Sequence, residues 1–279
     1  MRERTIAHLS DLHVGAGLRE DDAAVRLREA LLREDVDHVV ITGDVTHRGR
    51  SAEADRFHEV FSPLARAGKL TVIAGNHDRL GDDVRDRLRA GPRVQVERPE
   101  SSDGGLYLVL VDSTGPHNRR WIDGHGALAE DDLRAVDDAL NRAPPGALRA
   151  VLLHHHVLPL PGEDPFEVLV TWLGWPNAAE LERGRDLLDL VRGRCELVLH
   201  GHRHVPAEAR PFEGEPLAVY NAGSTTRLER FRLFSHRGGA LVGEPRWVSF
   251  EKSRGRDLLP ALVEPRRRPT VGMSEPAPA

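Results

Sequence analysis

The stretch "HLSDLHVG", residues 8–15, is the starting point for interpreting this chain. It overlaps the apolar run "TIAHL", residues 5–9, which is typical of a buried β-strand. The run leads directly into Asp11 and His13, a carboxylate and an imidazole two residues apart. Both side chains are common metal ligands. We therefore predict that a strand of this protein ends in a group of functional side chains.

The rest of the chain alternates short apolar runs with segments of helical periodicity. The helical segments are Asp21–Glu34, Ala52–Ala67, Glu130–Asn141 and Ala179–Arg192. This alternation predicts an α/β protein with largely parallel central strands. No internal repeat or long linker divides the 279 residues. We expect one domain over residues 1–250 and a C-terminal extension over residues 251–279. The extension is expected to be disordered from about residue 264, where Pro, Arg and Ala dominate.

Composition narrows the functional classes. The net charge of -5 gives no overall basic field that would draw the protein onto nucleic acid or an anionic membrane. The single cysteine, Cys195, excludes an intrachain disulfide and fits a reducing compartment. No apolar run approaches the ~18 residues of a membrane helix, and the N-terminus lacks a signal-peptide pattern. We expect a soluble cytoplasmic protein.

Polar residues cluster where five of the apolar runs end. In open α/β sheets, ligands bind at the carboxyl ends of the strands, so these clusters are expected to converge. A single such residue is typically a helix cap or a turn former, but that explanation would be needed five times. A glycine directly precedes three of the clusters, where it permits close backbone approach. The clusters are Asp11 with His13, Asp44, Asn76 with His77, His154 to His156, and His202 with His204.

Five short motifs occur in a fixed order along the chain. They are "DLH" (11–13), "GDVTHRG" (43–49), "GNHD" (75–78), "HHH" (154–156) and "GHRH" (201–204). This order resembles the calcineurin-like binuclear metallophosphoesterases, and in particular a phosphodiesterase-like member. The resemblance spans about residues 6–224. It implies a four-layer α/β/β/α sandwich, with two central mixed β-sheets between outer helices.

The resemblance also implies two divalent metal ions per chain. A carboxylate can bridge two metals and a neutral imidazole cannot, so Asp44 is the candidate bridge. A mixed N/O ligand set without thiolate suits Mn, Fe, Zn or Co. By the resemblance, one metal site would comprise Asp11, His13 and His204, and the other Asn76, His202 and one histidine of the triplet.

The histidine triplet leaves two alternatives. Matching it to the H-H-P pattern of many relatives makes His155 the ligand, although Val157 replaces the proline. Strand alternation places His154 on one face and His155 on the other. We predict His155 and keep His154 as the alternative.

The resemblance gives His77 a role outside the metal shell. There it would contact the phosphate and protonate the leaving oxygen, which is a general acid's task. Asp78 would then hold the His77 ring in position, or would cap the helix-like segment that follows. Both roles for Asp78 stay open.

The function implied is metal-dependent hydrolysis of phosphate esters by a metal-bridging hydroxide. The expected substrates are small-molecule phosphodiesters of the cyclic nucleotide or glycerophosphodiester type. A nuclease is the alternative, but it would usually need a basic track. A protein phosphatase is a lower-ranked variant of the enzyme prediction. A non-catalytic scaffold also ranks lower, because it would be expected to have lost ligands and no motif position is missing. The expected partner is a phosphorylated small molecule; nucleic acid is less favoured, no membrane is expected, and a homo-oligomer stays open.

Substrate choice is expected to depend on two irregular segments. Residues 113–126 contain Arg119 and Arg120. Residues 157–177 contain Phe166, Trp172 and Trp175, which would form either a recognition wall over the metals or a hydrophobic plug or subunit contact.

Overall fold

A computed structural model of the chain describes residues 2–100, 105–120, 124–158 and 181–251. Short 3₁₀ turns cover His77–Arg79 and Pro116–Arg119. The helices are α1 (Leu18–Arg33), α2 (Ser51–Arg66), α3 (Arg85–Leu88), α4 (Glu130–Asn141), α5 (Gly184–Val191) and α6 (Thr225–Leu228). The strands are β1 (Arg4–Leu9), β2 (His38–Thr42), β3 (Leu70–Ile73), β4 (Val94–Glu97), β5 (Leu106–Val111), β6 (Gly126–Ala127), β7 (Leu148–Leu152), β8 (Leu181–Glu182), β9 (Leu197–His200), β10 (Ala207–Ala209), β11 (Ala218–Asn221), β12 (Arg230–Arg237), β13 (Ala240–Leu241) and β14 (Arg246–Ser249).

Two large mixed sheets form the centre of the fold. The first has the order β13-β12-β1-β2-β3, with β14 paired to β12. Its strands β1, β2 and β3 are parallel, and β12 joins β1 antiparallel. The second has the order β10-β11-β9-β7-β5-β4, with parallel strands β5, β7, β9 and β11 between antiparallel edges. The parallel strands of each sheet therefore end on a common edge.

Three apolar layers hold the sandwich together. The layer between the sheets contains Ile6 and Val40 from the first sheet and Leu108 and Leu199 from the second. A second layer covers the outer face of the first sheet with α1 and α2. A third covers the outer face of the second sheet with α4 and α5. The predicted four-layer α/β/β/α architecture is confirmed.

Sequence patterns explain the helices and the parallel strands. In α1 the buried residues recur every three to four positions, as Ala23, Leu27 and Ala30 do, which places them on one face. All five residues of β2 are buried, as expected for a parallel strand covered on both faces. The predicted helices therefore agree with α1, α2 and α4 to within a few residues. For α5 the structure begins the helix at Gly184, later than the predicted residue 179.

The antiparallel strands at the end of the chain were not predicted from the sequence. Strand β12 carries Arg230, Arg232 and Arg237 among its apolar residues, which obscures its pattern. Arg232 is nevertheless buried, because it pairs with Glu208 and its guanidinium stacks on Trp247.

Several predictions concern residues beyond the described ranges. Apart from residue 251, the predicted C-terminal extension lies outside them, and so does the aromatic segment with Phe166, Trp172 and Trp175. Within the described ranges, no helix is both long enough and apolar enough to span a membrane.

His38 makes the stability of the fold sensitive to acid. The side chain is buried at the start of β2, away from the carboxyl edge, and its Nε2 lies 2.8 Å from Thr71 Oγ1. Burial lowers its pKa to about 4, whereas an unfolded histidine titrates near about 6.5. The unfolded chain therefore binds more protons between these pH values. The stability that neutral His38 contributes is present above about pH 6.5 and is lost as the pH falls towards 4.

We therefore expect the free energy of unfolding to fall less between pH 7 and pH 5 in His38→Gln than in the natural chain. Urea unfolding in the presence of chelator measures this, because metal linkage is then removed. His58→Ala is the matched control, since His58 is exposed on α2. An unchanged pH slope in His38→Gln would contradict the prediction.

Candidate metal centre

The five sequence clusters meet at the carboxyl edge of both sheets. Loops after β1 and β2 are joined by backbone hydrogen bonds, from Asp11 N–H to Gly43 O at 3.1 Å and from His13 N–H to Asp44 O at 3.0 Å. The loop after β9 is held to the first sheet because His202 N–H donates to Asp11 Oδ2 at 3.0 Å. The two sheets thus contribute to one polar centre.

Four of the predicted site residues have left-handed backbone conformations. Their φ angles are 52° at Asp11, 49° at His13, 46° at Asp44 and 72° at His202. For residues other than glycine this region costs of order 1–3 kcal/mol each. Such strain persists only where surrounding packing enforces it, and it clusters at functional sites. Here it directs the side chains after β1, β2 and β9 into the centre.

Asp11, His13 and His204 form the first ligand cluster. The Nε2 atoms of His13 and His204 are 3.1 Å apart, and His204 Nε2 is 3.7 Å from Asp11 Oδ1. One ligand atom from each of the three lies within 4.8 Å of the others. These are the three residues that the sequence assigned to one metal site.

Asn76, His154 and His202 form the second cluster. Asn76 Oδ1 lies 3.0 Å from both His154 Nε2 and His202 Nδ1, and the two nitrogens are 3.3 Å apart. Three donor atoms therefore surround one point at the end of β3, β7 and β9.

Asp44 lies between the two clusters. Its Oδ1 is 3.3 Å from His154 Nε2, and it accepts the backbone N–H of His77 at 2.9 Å. Asp11, Asp44 and His154 also bring ligand atoms within 4.8 Å of one another. Asp44 therefore has a neighbour in each cluster, Asp11 in the first and His154 in the second, which suits a bridging carboxylate.

Two glycines allow the backbone to approach this closely. A Cβ at Gly75 would collide with Asp44 Oδ1 and would lie 2.8 Å from His154 Nε2. A Cβ at Gly201 would collide with Ser10 Oγ and lie 2.5 Å from Asp11 Oδ2. The sequence-based interpretation of these glycines as close-approach positions agrees with this geometry.

The histidine triplet is arranged differently from the sequence-based preference for His155. His154 Nε2 faces Asn76, Asp44 and His202, whereas His155 Nδ1 lies 2.8 Å from Ser113 Oγ. A ring nitrogen of His155 is also within 4.8 Å of nitrogens of His154 and His202, but Asn76 Oδ1 is hydrogen-bonded to His154 and His202. The geometry favours His154, because β7 ends at Leu152 and strand alternation no longer applies to the triplet.

Charge in the centre is balanced by a protonated imidazole. Burial disfavours a charged His154, but the Asp44 and Asp11 carboxylates outweigh burial and raise its pKa to about 9. Burial would raise the pKa of Asp44, but the adjacent His154 and His77 lower it well below the usual value. The centre thus holds an ionised carboxylate that requires a cation. A bound metal would replace the His154 proton, since ligands bind in the deprotonated form.

The donor atoms fit divalent metal ions. Within the described ranges, Asp11 Oδ1 and His13 Nδ1 are buried without a hydrogen-bond partner. Buried polar atoms are normally satisfied, so an unpartnered carboxylate oxygen facing two imidazoles fits the role of a metal ligand. Oxygen and imidazole ligands without thiolate suit Mn, Fe, Zn or Co.

His77 is located beside the two clusters. Its Nδ1 is 2.8 Å from the carbonyl oxygen of His47, and its Nε2 is 3.9 Å from Asp44 Oδ2. Since a carbonyl only accepts, Nδ1 carries a proton and Nε2 is the atom that faces the centre. The His77 side chain is 19% exposed, so a substrate can reach it.

The contacts of Asp78 differ from its predicted role in orienting the His77 ring. Its carboxylate accepts the backbone N–H groups of Gly75, Val45 and Thr46, and also the Thr46 hydroxyl. Burial raises the pKa of Asp78 to about 6. Asp78 therefore ties the loops after β2 and β3 together, and the carbonyl of His47 holds the His77 ring instead.

Sequence reasoning missed His47 and Arg227. His47 lies in the motif "GDVTHRG", and one of its ring nitrogens is within 4.8 Å of nitrogens of His13 and His77. Arg227 Nη1 is 3.2 Å from His204 Nδ1. His47 was detectable from its position within a motif, whereas Arg227 follows no motif and only the fold places it here.

The fold and the centre together define a calcineurin-like phosphoesterase. The sequence profile described as "Calcineurin-like phosphoesterase" matches residues 4–206, and the chain belongs to this family. It is therefore a phosphoester hydrolase of a binuclear, metal-dependent family, which confirms the family and the enzyme class predicted from the sequence.

Curated relatives are named as cyclic nucleotide phosphodiesterases. The chain is 30% identical over 214 residues to the 3′,5′-cyclic adenosine monophosphate phosphodiesterase CpdA of Pseudomonas aeruginosa, which covers 71% of this chain and 69% of that protein. It is 19% identical to a probable cyclic nucleotide phosphodiesterase of Ruthia magnifica, with 89% and 100% covered.

Solved structures show the same fold at low identity. A dimetal phosphatase from Danio rerio superposes with a TM-score of 0.56 at 12% identity, covering 89% of this chain and 99% of that one. Purple acid phosphatase PPD1 from yellow lupin gives a TM-score of 0.59 at 13% identity, covering 89% and 54%.

Proposed function

We propose that this protein hydrolyses small-molecule phosphodiesters, with cyclic nucleotides as the first class to test. The observation that carries the proposal is the convergence of two ligand clusters on Asp44. The names of the curated relatives support the cyclic nucleotide class, and a glycerophosphodiester would suit the same chemistry.

The proposed ligands of one metal are Asp11, His13 and His204. Those of the other are Asn76, His154 and His202, and Asp44 is shared. When bound, two divalent cations neutralise charge on the phosphate and activate water. The buried positions of Asp11 and Asp44 fix the centre before substrate arrives, so little reorganisation is needed during the reaction.

His77 is the proposed general acid. The carbonyl of His47 fixes its Nδ1–H, and Nε2 points towards the space above Asp44. A protonated Nε2 can give its proton to the departing oxygen as the P–O bond breaks. His77 is not part of either ligand cluster, so its contribution and that of the metals can be measured separately.

The test is hydrolysis of bis(p-nitrophenyl) phosphate, 3′,5′-cyclic AMP, a glycerophosphodiester, the p-nitrophenyl monoester and single-stranded DNA. Chelator is expected to abolish activity and added Mn to restore it. Diesters of small molecules should be preferred to the monoester and to DNA. Full activity in a verified metal-free preparation, or a clear preference for DNA, would overturn the proposal.

The assignment of His154 has its own test. We expect His154→Ala to lower the metal content from about two ions per chain to about one, since it removes a nitrogen that faces Asn76, Asp44 and His202. His155→Ala is the matched variant, because His155 is equally buried but bonds Ser113. Elemental analysis of dialysed protein measures both. Loss of metal in His155→Ala alone would return the assignment to His155.

A further inference from the structure

A cavity of about 410 Å³ lies among residues of the loops that follow β2 and β3. It is lined by Arg48, Arg50, Leu80, Gly81 and Arg119. We call it the arginine cleft. Three of its five lining residues carry guanidinium groups, although the chain as a whole has a net charge of -5. A local concentration of positive charge on an acidic protein indicates an anion-binding surface.

The arginine cleft lies on the side of His77. The carbonyl that holds the His77 ring belongs to His47, and Arg48 is the next residue. The loop after β3 packs on this segment, because Asp82 N–H donates to Gly49 O at 2.9 Å. The cleft is therefore formed by the same two loops that position the proposed general acid.

Among the described residues, the neighbouring carboxylates of Asp83, Glu53 and Asp82 form their hydrogen bonds with groups other than the side chains of Arg48 and Arg50. Arg119 Nη2 is 2.9 Å from Asp83 Oδ2, and the same carboxylate is shared with Arg79 at 3.0 Å. Glu53 directs its carboxylate to backbone N–H groups of residues 48 and 50, at 2.8 and 3.3 Å. Asp82 likewise accepts a backbone N–H, from residue 51.

The guanidinium groups of Arg48 and Arg50 remain available. Both residues are exposed, and within the described ranges neither forms an ion pair with a carboxylate. Guanidinium binds phosphate through paired, charge-assisted hydrogen bonds, which makes arginine well suited to terminal phosphates. A cyclic mononucleotide has no phosphate besides the one being hydrolysed, so it would leave the cleft unused.

We propose that the arginine cleft binds a terminal phosphate on the leaving part of the substrate, so that the enzyme also hydrolyses 5′-phosphorylated dinucleotides. The inference rests on the proposed phosphodiesterase function and extends its substrate class. In the reaction, the oxygen of water bonds to phosphorus and the P–O3′ bond breaks. The leaving O3′ takes the proton of His77, and a proton of the water restores His77. The products are two nucleoside 5′-monophosphates.

The substrate test compares pApA with ApA, which differ only in the 5′-phosphate. One well-placed guanidinium contact to phosphate changes kcat/KM by about 10-fold. We expect the natural, Mn-loaded enzyme to prefer pApA by about 10- to 100-fold. The preference should shrink by about 10-fold in Arg48→Ala and by about a further 10-fold in Arg48→Ala/Arg50→Ala. Arg134→Ala is the matched control, since its guanidinium is exposed on α4 and 69% accessible.

A binding test separates this inference from the proposed function. Adenosine 5′-monophosphate and adenosine are titrated into chelator-treated full-length protein, where metals cannot hold a phosphate. We expect the monophosphate to bind at least about 10-fold more tightly than adenosine, and the difference to disappear in Arg48→Ala/Arg50→Ala. If the enzyme hydrolyses no diester but binds adenosine 5′-monophosphate more tightly than adenosine, the proposed phosphodiesterase function is wrong. The proposal that the arginine cleft binds a terminal phosphate is then retained. Equal affinity for the two ligands, or equal kcat/KM for pApA and ApA, would contradict the proposal that the arginine cleft binds a terminal phosphate.

Discussion

Asp44→Asn is expected to lower diester hydrolysis by about 10³-fold or more and to reduce the metal content below two ions per chain. The charge stabilisation that a metal pair gives to a phosphoryl transition state is worth several kcal/mol, and each 1.36 kcal/mol is tenfold in rate. Asp44 lies between the two ligand clusters, and its Oδ1 is 3.3 Å from His154 Nε2. An amide has one acceptor oxygen and no negative charge, so it cannot serve two cations.

Asparagine is a fair replacement because the fold should accept it. The backbone φ of Asp44 is 46°, a region that asparagine tolerates better than most residues. The amide oxygen can still accept the His77 N–H that Asp44 Oδ1 accepts now. The loss should therefore appear in metal content and rate, with little change in the unfolding midpoint of chelated protein.

Asp112→Asn is the control for removing one carboxylate at the same sheet edge. Asp112 directly follows β5, but its carboxylate contacts Arg85 at 3.2 Å and the Thr114 N–H at 2.9 Å. This variant should keep two metals and most activity. Two normally occupied sites in Asp44→Asn, with an unchanged rate, would rule out Asp44 as the shared ligand.

The candidate site was predictable because its residues follow strands in sequence. Asp11, Asp44 and Asn76 come directly after β1, β2 and β3, and a parallel sheet brings such positions to one edge. The motifs therefore predicted which polar residues would meet at this edge, whereas the ligand preferred from the triplet was His155 and the geometry favours His154. The spacing of apolar residues likewise predicted the helices and the parallel strands. A helix buried on one face has apolar residues every three to four positions, and a strand buried on both faces is a continuous apolar run.

The choice between His154 and His155 needed three-dimensional information. Alternation of side chains holds only while the backbone is extended, and β7 ends at Leu152. Beyond it the chain bends, and all three histidines of the triplet become buried. Which ring faces the centre depends on that bend and on Ser113, which lies about forty positions earlier in the sequence. Ser113 Oγ is within hydrogen-bond distance of His155 Nδ1.

The arginine cleft and Arg227 were unpredictable for a different reason. Arg48 and Arg119 lie far apart in sequence and follow no shared pattern, and only the packing of two loops brings them to one cavity. Net charge averages over the surface, so a value of -5 did not reveal a local cationic cleft. Composition thus excluded a uniformly basic protein without excluding a local anion site.

His77→Ala is expected to lower turnover by about 10²–10⁴-fold, the typical contribution of a general acid, while about two metals per chain remain. The ring is outside both ligand clusters, and its Nδ1 is held by the His47 carbonyl at 2.8 Å. Removing it should leave the metals in place, because His77 Nε2 is 3.9 Å from Asp44 Oδ2, which is beyond hydrogen-bond distance. His58→Ala, an exposed histidine of α2, controls for the loss of an imidazole elsewhere.

The leaving group decides whether the loss in His77→Ala reflects proton transfer. An alkoxide, such as the ribose oxygen of a cyclic nucleotide, needs a proton as the P–O bond breaks, whereas p-nitrophenolate is stable without one. We therefore expect a large loss for 3′,5′-cyclic AMP and a much smaller loss for bis(p-nitrophenyl) phosphate, measured as kcat with saturating Mn. Equal losses for both substrates would assign His77 to phosphate binding rather than to acid catalysis. A fall in metal content would instead place its ring in the coordination sphere. In that case another group must supply the proton, and His47, which has a ring nitrogen within 4.8 Å of nitrogens of His13 and His77, is a candidate.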